Sequence, residues 1–121
     1  MDVVVVGAHG QIARELSRLL VARGDTVRGV IRNPQHTDDL RADGVEPVIV
    51  DLEAEFAENE LAHTMRGADA VVFAAGAGAG SSAARKETVD HDGVVHSAAA
   101  AGRAEVRRFV LISSMGTENP P

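Results

Sequence analysis

Short apolar runs alternate with stretches of helical spacing along most of the chain. Val3-Val4-Val5-Val6 is a β-branched run that stops at Gly7. A strand buried on both faces of a parallel sheet reads this way, apolar throughout rather than alternating. A helix is expected from about Gln11 to Arg23, with Ile12, Leu16, Leu19 and Leu20 at helical spacing and Arg14, Glu15 and Arg18 pointing elsewhere. Gly24 stands where a helix end takes a residue free to adopt positive φ. Thr26 to Ile31 is the second strand, broken by Arg32-Asn33-Pro34. A short helix follows from Thr37 to Ala42, ended by Gly44, and a third strand runs from Pro47 to Val50 and closes at Asp51. Glu53 to Arg66 is expected as helix, with Phe56, Leu61 and Met65 buried, Glu53, Glu55, Glu58 and Glu60 exposed, and Gly67 as the stop. Ala70 to Ala74 is the fourth strand, and the small residues Gly76 to Ser82 form a loop. A fourth helix is expected from about Lys86 to Ala101, its alanine run packing closely on the sheet and Gly102 ending it, before a fifth strand from Val106 to Ile112.

Strands alternating with helices imply βαβ units, a parallel sheet and right-handed crossovers. The fold class is therefore α/β, a Rossmann-type doubly wound parallel sheet with strand order 3-2-1-4-5, in one domain spanning residues 1–121 and truncated after the fifth strand. In such a sheet a ligand lies at the carboxyl ends of the strands, beside Gly7, Arg32, Asp51, Ala74 and Ser113.

The loop after the first strand carries the strongest chemical signal. Gly7-Ala8-His9-Gly10-Gln11-Ile12-Ala13 has the pattern G-x-x-G-x-x-A, with a strand before it and a helix after it. The first glycine allows a tight turn, the second lets a pyrophosphate approach the backbone, and the small Ala13 lets helix and strand pack closely. The helix start offers N–H groups and partial positive charge to the phosphates. His9 either donates to a phosphate or is a tolerated loop residue. Arg32 lies about 20 residues beyond the glycine turn, where a dinucleotide site for NAD usually places an acid on the ribose hydroxyls. No acid stands at 30–33, and a guanidinium suits a 2′-phosphate, so NADP is preferred over NAD. Asp51 and Leu52 fit the adenine side, with Asp51 capping the following helix as the compatible alternative. Ala74, Ala75 and Gly76 leave room for the ribose and nicotinamide. Ser113 and Ser114 are candidate catalytic hydroxyls that would orient a substrate carbonyl, or a strand-end pair that satisfies local backbone groups.

Composition narrows the chemistry. The chain has 121 residues, 45% hydrophobic and 25% charged, with a net charge of -6 and no cysteine. Disulfides, thiolate catalysis and cysteine zinc sites are excluded. The acidic balance argues against nucleic-acid binding, and no run approaches the about 18 apolar residues of a membrane span. A cytoplasmic location is expected. His36, His63, His91 and His96 show no metal-ligand spacing, so no metal is expected. There is no tyrosine or tryptophan, and Lys86 is the only lysine. A mechanism that needs a phenol is closed to this chain acting alone. A mononucleotide flavin domain is a weaker alternative, because no large aromatic is placed to stack on the ring.

Val5 to Ala13, Val30-Ile31-Arg32-Asn33-Pro34, Val71 to Gly76, Val89-Asp90-His91-Asp92-Gly93 and Arg107 to Ser114 come in an order that resembles the atypical short-chain dehydrogenase/reductase group, the NAD(P)H-binding or NmrA-like proteins. The resemblance implies cofactor contacts at Gly7, Gly10, Gln11 and Ile12, an adenine-side contact at Arg32 and Asp51, and a nicotinamide-side wall at Ala74, Ala75 and Ser113. It implies an oxidoreductase acting on an unidentified small carbonyl compound. Asp90 stands where the wider superfamily keeps an active-site asparagine, and the superfamily's Tyr-x-x-x-Lys pair has no match. Both departures leave a non-catalytic NAD(P)-binding sensor as the alternative function. The apolar fifth strand, as an open edge, is expected to pair with another copy in a homo-oligomer.

Overall fold

The computed structural model describes residues 1–52, 54–74 and 94–112. Five parallel strands, β1 (Asp2–Val6), β2 (Thr26–Ile31), β3 (Glu46–Ile49), β4 (Ala70–Phe73) and β5 (Arg108–Leu111), form one sheet in the order β3-β2-β1-β4-β5. Helix α1 (Gln11–Ala22) follows β1, a single 3-10 turn (Pro34–His36) and α2 (Thr37–Ala42) follow β2, and α3 (Ala57–Met65) follows β3. Helix α4 covers 94–103 ahead of β5. The expected topology is therefore present, and β2 and α2 have the expected bounds.

The two faces of the sheet bury separate cores. On one face Val4, Val6, Val30, Val71 and Phe73 pack with Leu61 and Met65 of α3 and with Ala100 and Ala101 of α4. On the other, Val3, Val5, Val27, Ile31 and Val72 pack with Ala13 of α1 and Leu40 of α2. The strict side alternation of adjacent valines in β1 explains its unbroken apolar run, since both neighbours of each valine face a core. Arg28 of β2 reaches the backbone carbonyls of Thr64 and Arg66, so a guanidinium satisfies the C-terminal end of α3.

Several expectations about helix faces need correction. In α1 the buried residues are Ala13 and Ser17, with Leu16, Leu20 and Val21 half-buried against them, whereas Ile12 and Leu19 are 53% and 70% exposed. The fully buried positions of this helix are its small side chains, with larger ones flanking them. Helix α3 begins only at Ala57, with Phe56 at its cap position and 62% exposed, not buried. Of the Ala98–Ala101 run only Ala100 and Ala101 are buried. Gly24, Gly44 and Gly67 take positive φ as helix stops, but α4 runs past Gly102, and the left-handed residue before β5 is Glu105, at φ 61. The expected Gly76–Ser82 loop and the first part of the fourth helix lie outside the described residues.

Candidate functional site

Because the sheet is parallel and in register, with Val6 level with Val30 and Phe73, and Phe73 level with Leu111, every strand ends at the same edge. The glycine-rich loop leaves β1 there. Gly7 turns the chain at φ 81. The Gly7 and Ala8 amides both donate to the Val30 carbonyl, at 2.9 and 3.0 Å, which stitches the loop to β2. Gly10 holds the position before α1 in extended conformation, and no side chain caps the helix. Its carbonyl accepts from Arg14 N at 2.9 Å, so the helix ladder starts there. The amides of Gln11, Ile12 and Ala13 consequently have no intrahelical acceptor.

Gly10 tests whether this loop fits a diphosphate. Its φ is -64, which any residue adopts, and a methyl placed on it would meet only the Gly7 carbonyl, at 3.7 Å. The fold itself does not require glycine here. A bare α-carbon in front of an uncapped helix start leaves space where anions bind, so the residues present fit a pyrophosphate.

A second glycine, not singled out from the sequence, sets the loop's position. A methyl on Gly29 of β2 would lie 2.7 Å from Ala8 Cβ and 2.8 Å from both Leu40 Cδ2 and Val45 Cγ1. Only glycine lets the loop and α2 close over β2. Its signal in the sequence was a glycine interrupting the β-branched run Thr26–Ile31.

The side chain of His9 points to the segment that follows β2 rather than standing loose. Its Nε2 is 2.8 Å from Asp39 Oδ2, and its ring stacks on His36, centroids 3.5 Å apart and planes 8° apart. Behind this pair, Arg14 donates to both Asp43 oxygens (2.8 and 3.2 Å), and Arg18 donates to one at 3.1 Å. The hydrogen bond from His9 holds the Asp39 carboxyl below its usual range, with help from the nearby Arg14. The Arg14 hydrogen bonds do the same for the buried Asp43, against the opposing effect of desolvation, and raise Arg14 in return. These partners lie about 30 residues apart in sequence, and no local spacing rule reaches that far.

Arg32 is exposed at the first position beyond β2, and Asp51 is exposed just beyond β3. Asp51 does not cap α3, since Phe56 holds that position, although its carbonyl accepts from Ala54 N at 3.0 Å. Leu52 is half-buried and packs on the α3-side core. Ala74 is half-buried on the opposite core, its amide donating to the Val6 carbonyl at 2.8 Å. Ile112 is tied to Phe73 at 2.9 Å. Ala75, Gly76, Ser113 and Ser114 lie outside the described residues. Among the described residues no cluster of metal-ligating side chains occurs, and no helix is long and apolar enough to cross a membrane.

Comparison with known proteins agrees with this geometry. The chain is 32% identical over 120 residues to an uncharacterized sugar epimerase, YhfK, of Bacillus subtilis, covering 98% of this chain and 55% of that protein. A putative NAD-dependent epimerase/dehydratase from Bacillus halodurans superposes with a TM-score of 0.83 at 35% identity, over 97% of this chain and 53% of the other. A short-chain dehydrogenase/reductase superfamily protein from Agrobacterium tumefaciens, solved with bound NAD, gives a TM-score of 0.74 at 30% identity, over 95% and 33% of the two chains. The chain thus spans about half the length of the curated relative it matches. Residues 7–121 match the NAD(P)H-binding family model, and the chain belongs to that family.

Proposed function

We propose that the chain is the NADP(H)-binding domain of an oxidoreductase of the atypical short-chain dehydrogenase type, working in the cytoplasm on a small carbonyl compound. The observation that carries this reading is the uncapped start of α1 behind Gly10, a position the fold leaves open. The amides of Gln11, Ile12 and Ala13 hold the pyrophosphate, and Gly7 and Gly10 let it approach. Arg32 takes the 2′-phosphate, Asp51 and Leu52 flank the adenine, and Ala74, Ala75 and Gly76 wall the ribose and nicotinamide. The cofactor supplies hydride when bound. Ser113 or Ser114 orients the acceptor carbonyl. The outer edge of β5, where Val110 and Leu111 are 48% and 53% exposed, pairs with another strand, from a second copy in a homo-oligomer.

A second reading, a dinucleotide-responsive sensor without turnover, is favoured by Asp90, an acid where the resembled superfamily keeps an active-site asparagine. NADPH absorbance, followed with aldehydes, quinones and a nucleotide sugar, separates the two. Consumption only with substrate supports the enzyme, and binding without consumption supports the sensor. The sugar is included because two relatives carry epimerase names. Calorimetric titration with NADP and NAD tests the cofactor. Arg32→Ala should narrow the NADP preference by about 1–3 kcal/mol, and an unchanged preference would contradict the role given to Arg32.

A further inference from the structure

Gly7 and Ala8 are fixed to β2 through the Val30 carbonyl, but the open amides of Gln11, Ile12 and Ala13 lie beyond Gly10, on α1 itself. Where they aim depends on what holds that helix. Its fully buried positions against the sheet are the small Ala13 and Ser17. Its contact with α2 is of a different kind. Arg14 begins the helix ladder, and Arg18 follows one turn later on the same side. Both guanidiniums end on Asp43, the residue that closes α2. Arg14 holds it with a fork, Nε donating to Oδ2 at 2.8 Å and Nη2 to Oδ1 at 3.2 Å, and Arg18 Nη1 donates to Oδ1 at 3.1 Å.

The Asp43 side chain is 5% exposed and stands in a fixed frame. Its amide donates to the Asp39 and Leu40 carbonyls, and the amides of Gly44 and Val45 donate to those of Arg41 and Leu40. Beside it Gly44, at φ 84, lies against α1: a methyl there would be 2.9 Å from Val21 Cγ1. The two helices therefore meet at Gly44 and are tied at Asp43, with Arg14 toward the end of α1 that follows the glycine loop. An ion pair this sheltered is a poor source of stability, because desolvation offsets much of the attraction and apolar replacements often do as well. What it supplies and an apolar contact does not is direction. A guanidinium fork on a carboxylate accepts a narrow range of relative positions.

We propose that Arg14 and Arg18 on Asp43 form a positioning clamp, which fixes the direction of the α1 start relative to the segment after β2 so that one dinucleotide engages both at once. The inference rests on the dinucleotide reading of the site. The three side chains act through the backbone they hold, not by touching the ligand. A ligand that spans two contact points gains because its second contact forms within one complex. That gain, about 10²–10⁴-fold, is lost when the two points fall out of step. Breaking the clamp should therefore weaken the whole dinucleotide and spare ligands that use one point only.

The test titrates the whole chain with NADP and NAD by calorimetry, and with inorganic pyrophosphate and adenosine 2′-monophosphate by the shifts of its backbone amide resonances. In Arg14→Met and Asp43→Asn the affinity for the dinucleotide should fall about tenfold or more, while each fragment binds as it does to wild type. Arg14→Lys keeps the charge without the fork and should fall with Arg14→Met. The double variant Arg14→Met/Asp43→Leu replaces the pair by apolar groups, which keeps the fold stable where a single change leaves a buried charge unpaired. It too should bind the dinucleotide weakly, with a melting temperature near wild type. Wild-type dinucleotide affinity in the folded double variant overturns the inference and leaves the cofactor reading standing. So does a loss of pyrophosphate binding that matches the loss of dinucleotide binding and that lysine restores, since Arg14 would then be a direct phosphate contact. Pyrophosphate that moves none of the Gln11, Ile12 and Ala13 amides of wild type, while a dinucleotide binds, removes one of the two contact points and overturns it as well. Failure of both dinucleotides to bind wild type overturns the cofactor reading and this inference together.

Discussion

The two faces of the sheet are built by opposite means. The face under α3 and α4 fills space with bulk, Phe73, Leu61 and Met65 being fully buried. The face under α1 and α2 is drawn close by small residues, Ala8, Ala13 and Gly29, and tied at its rim by Arg14, Arg18 and Asp43. The difference teaches where stability and ligand geometry reside. Bulk secures the fold from one side. Close approach on the other side brings a backbone loop to where an anion can meet it.

The sharpest break of this comparison is Leu61→Ala. It empties a fully buried position of α3 on the face opposite α1, and should cost about 2–5 kcal/mol by denaturant unfolding with dinucleotide affinity preserved. Gly29→Ala works the other way. The added methyl has three neighbours within 3.0 Å, two of them on α2 and the turn after it and one on the loop. A loss of about 1–3 kcal/mol is expected from overpacking, together with a clear fall in dinucleotide affinity by calorimetry. Equal affinity in the two variants would erase the proposed division of labour.

Acid should loosen the α1/α2 rim. Asp43 and Asp39 ionise more readily in the folded chain than in the unfolded one. The stability they contribute is therefore present above the ordinary carboxylate pKa of about 4 and is lost as pH falls through their depressed values. Thermal melts between pH 7 and pH 3 should show a decline that Asp43→Asn makes shallower. The smallest effect concerns two hydroxyls. Ser17 Oγ and Ser97 Oγ are buried without a partner, one on each face. Alanine at either position removes an unsatisfied polar atom and improves helix propensity, so each variant should gain about 0.5–1 kcal/mol. A loss at Ser17 alone would mean that the closely packed face tolerates no change in shape.

Legibility in the sequence followed the same divide. Strand order, the bounds of β2 and α2 and the glycine turn were readable, because β-branched runs and helix stops are local signals. The buried stripe of α1 was misread because hydrophobicity favours Ile12 and Leu19, while the actual contact needs the small Ala13 and Ser17. Phe56 misled for a related reason, since apolarity says nothing of where α3 begins. In the candidate site, Gly7 and Gly10 were legible from spacing. Gly29, His36, Asp39 and Asp43 were not, because their roles depend on which segments the sheet topology brings together.

The Val30 carbonyl, which receives the amides of both Gly7 and Ala8, has a mechanical consequence. Arg32 follows it by two residues along the chain. The turn and the strand end therefore cannot swing apart without breaking both bonds. This side of the cleft works as a fixed caliper whose span is set when the chain folds, so an incoming nucleotide has little left to organise and correspondingly less entropy to lose.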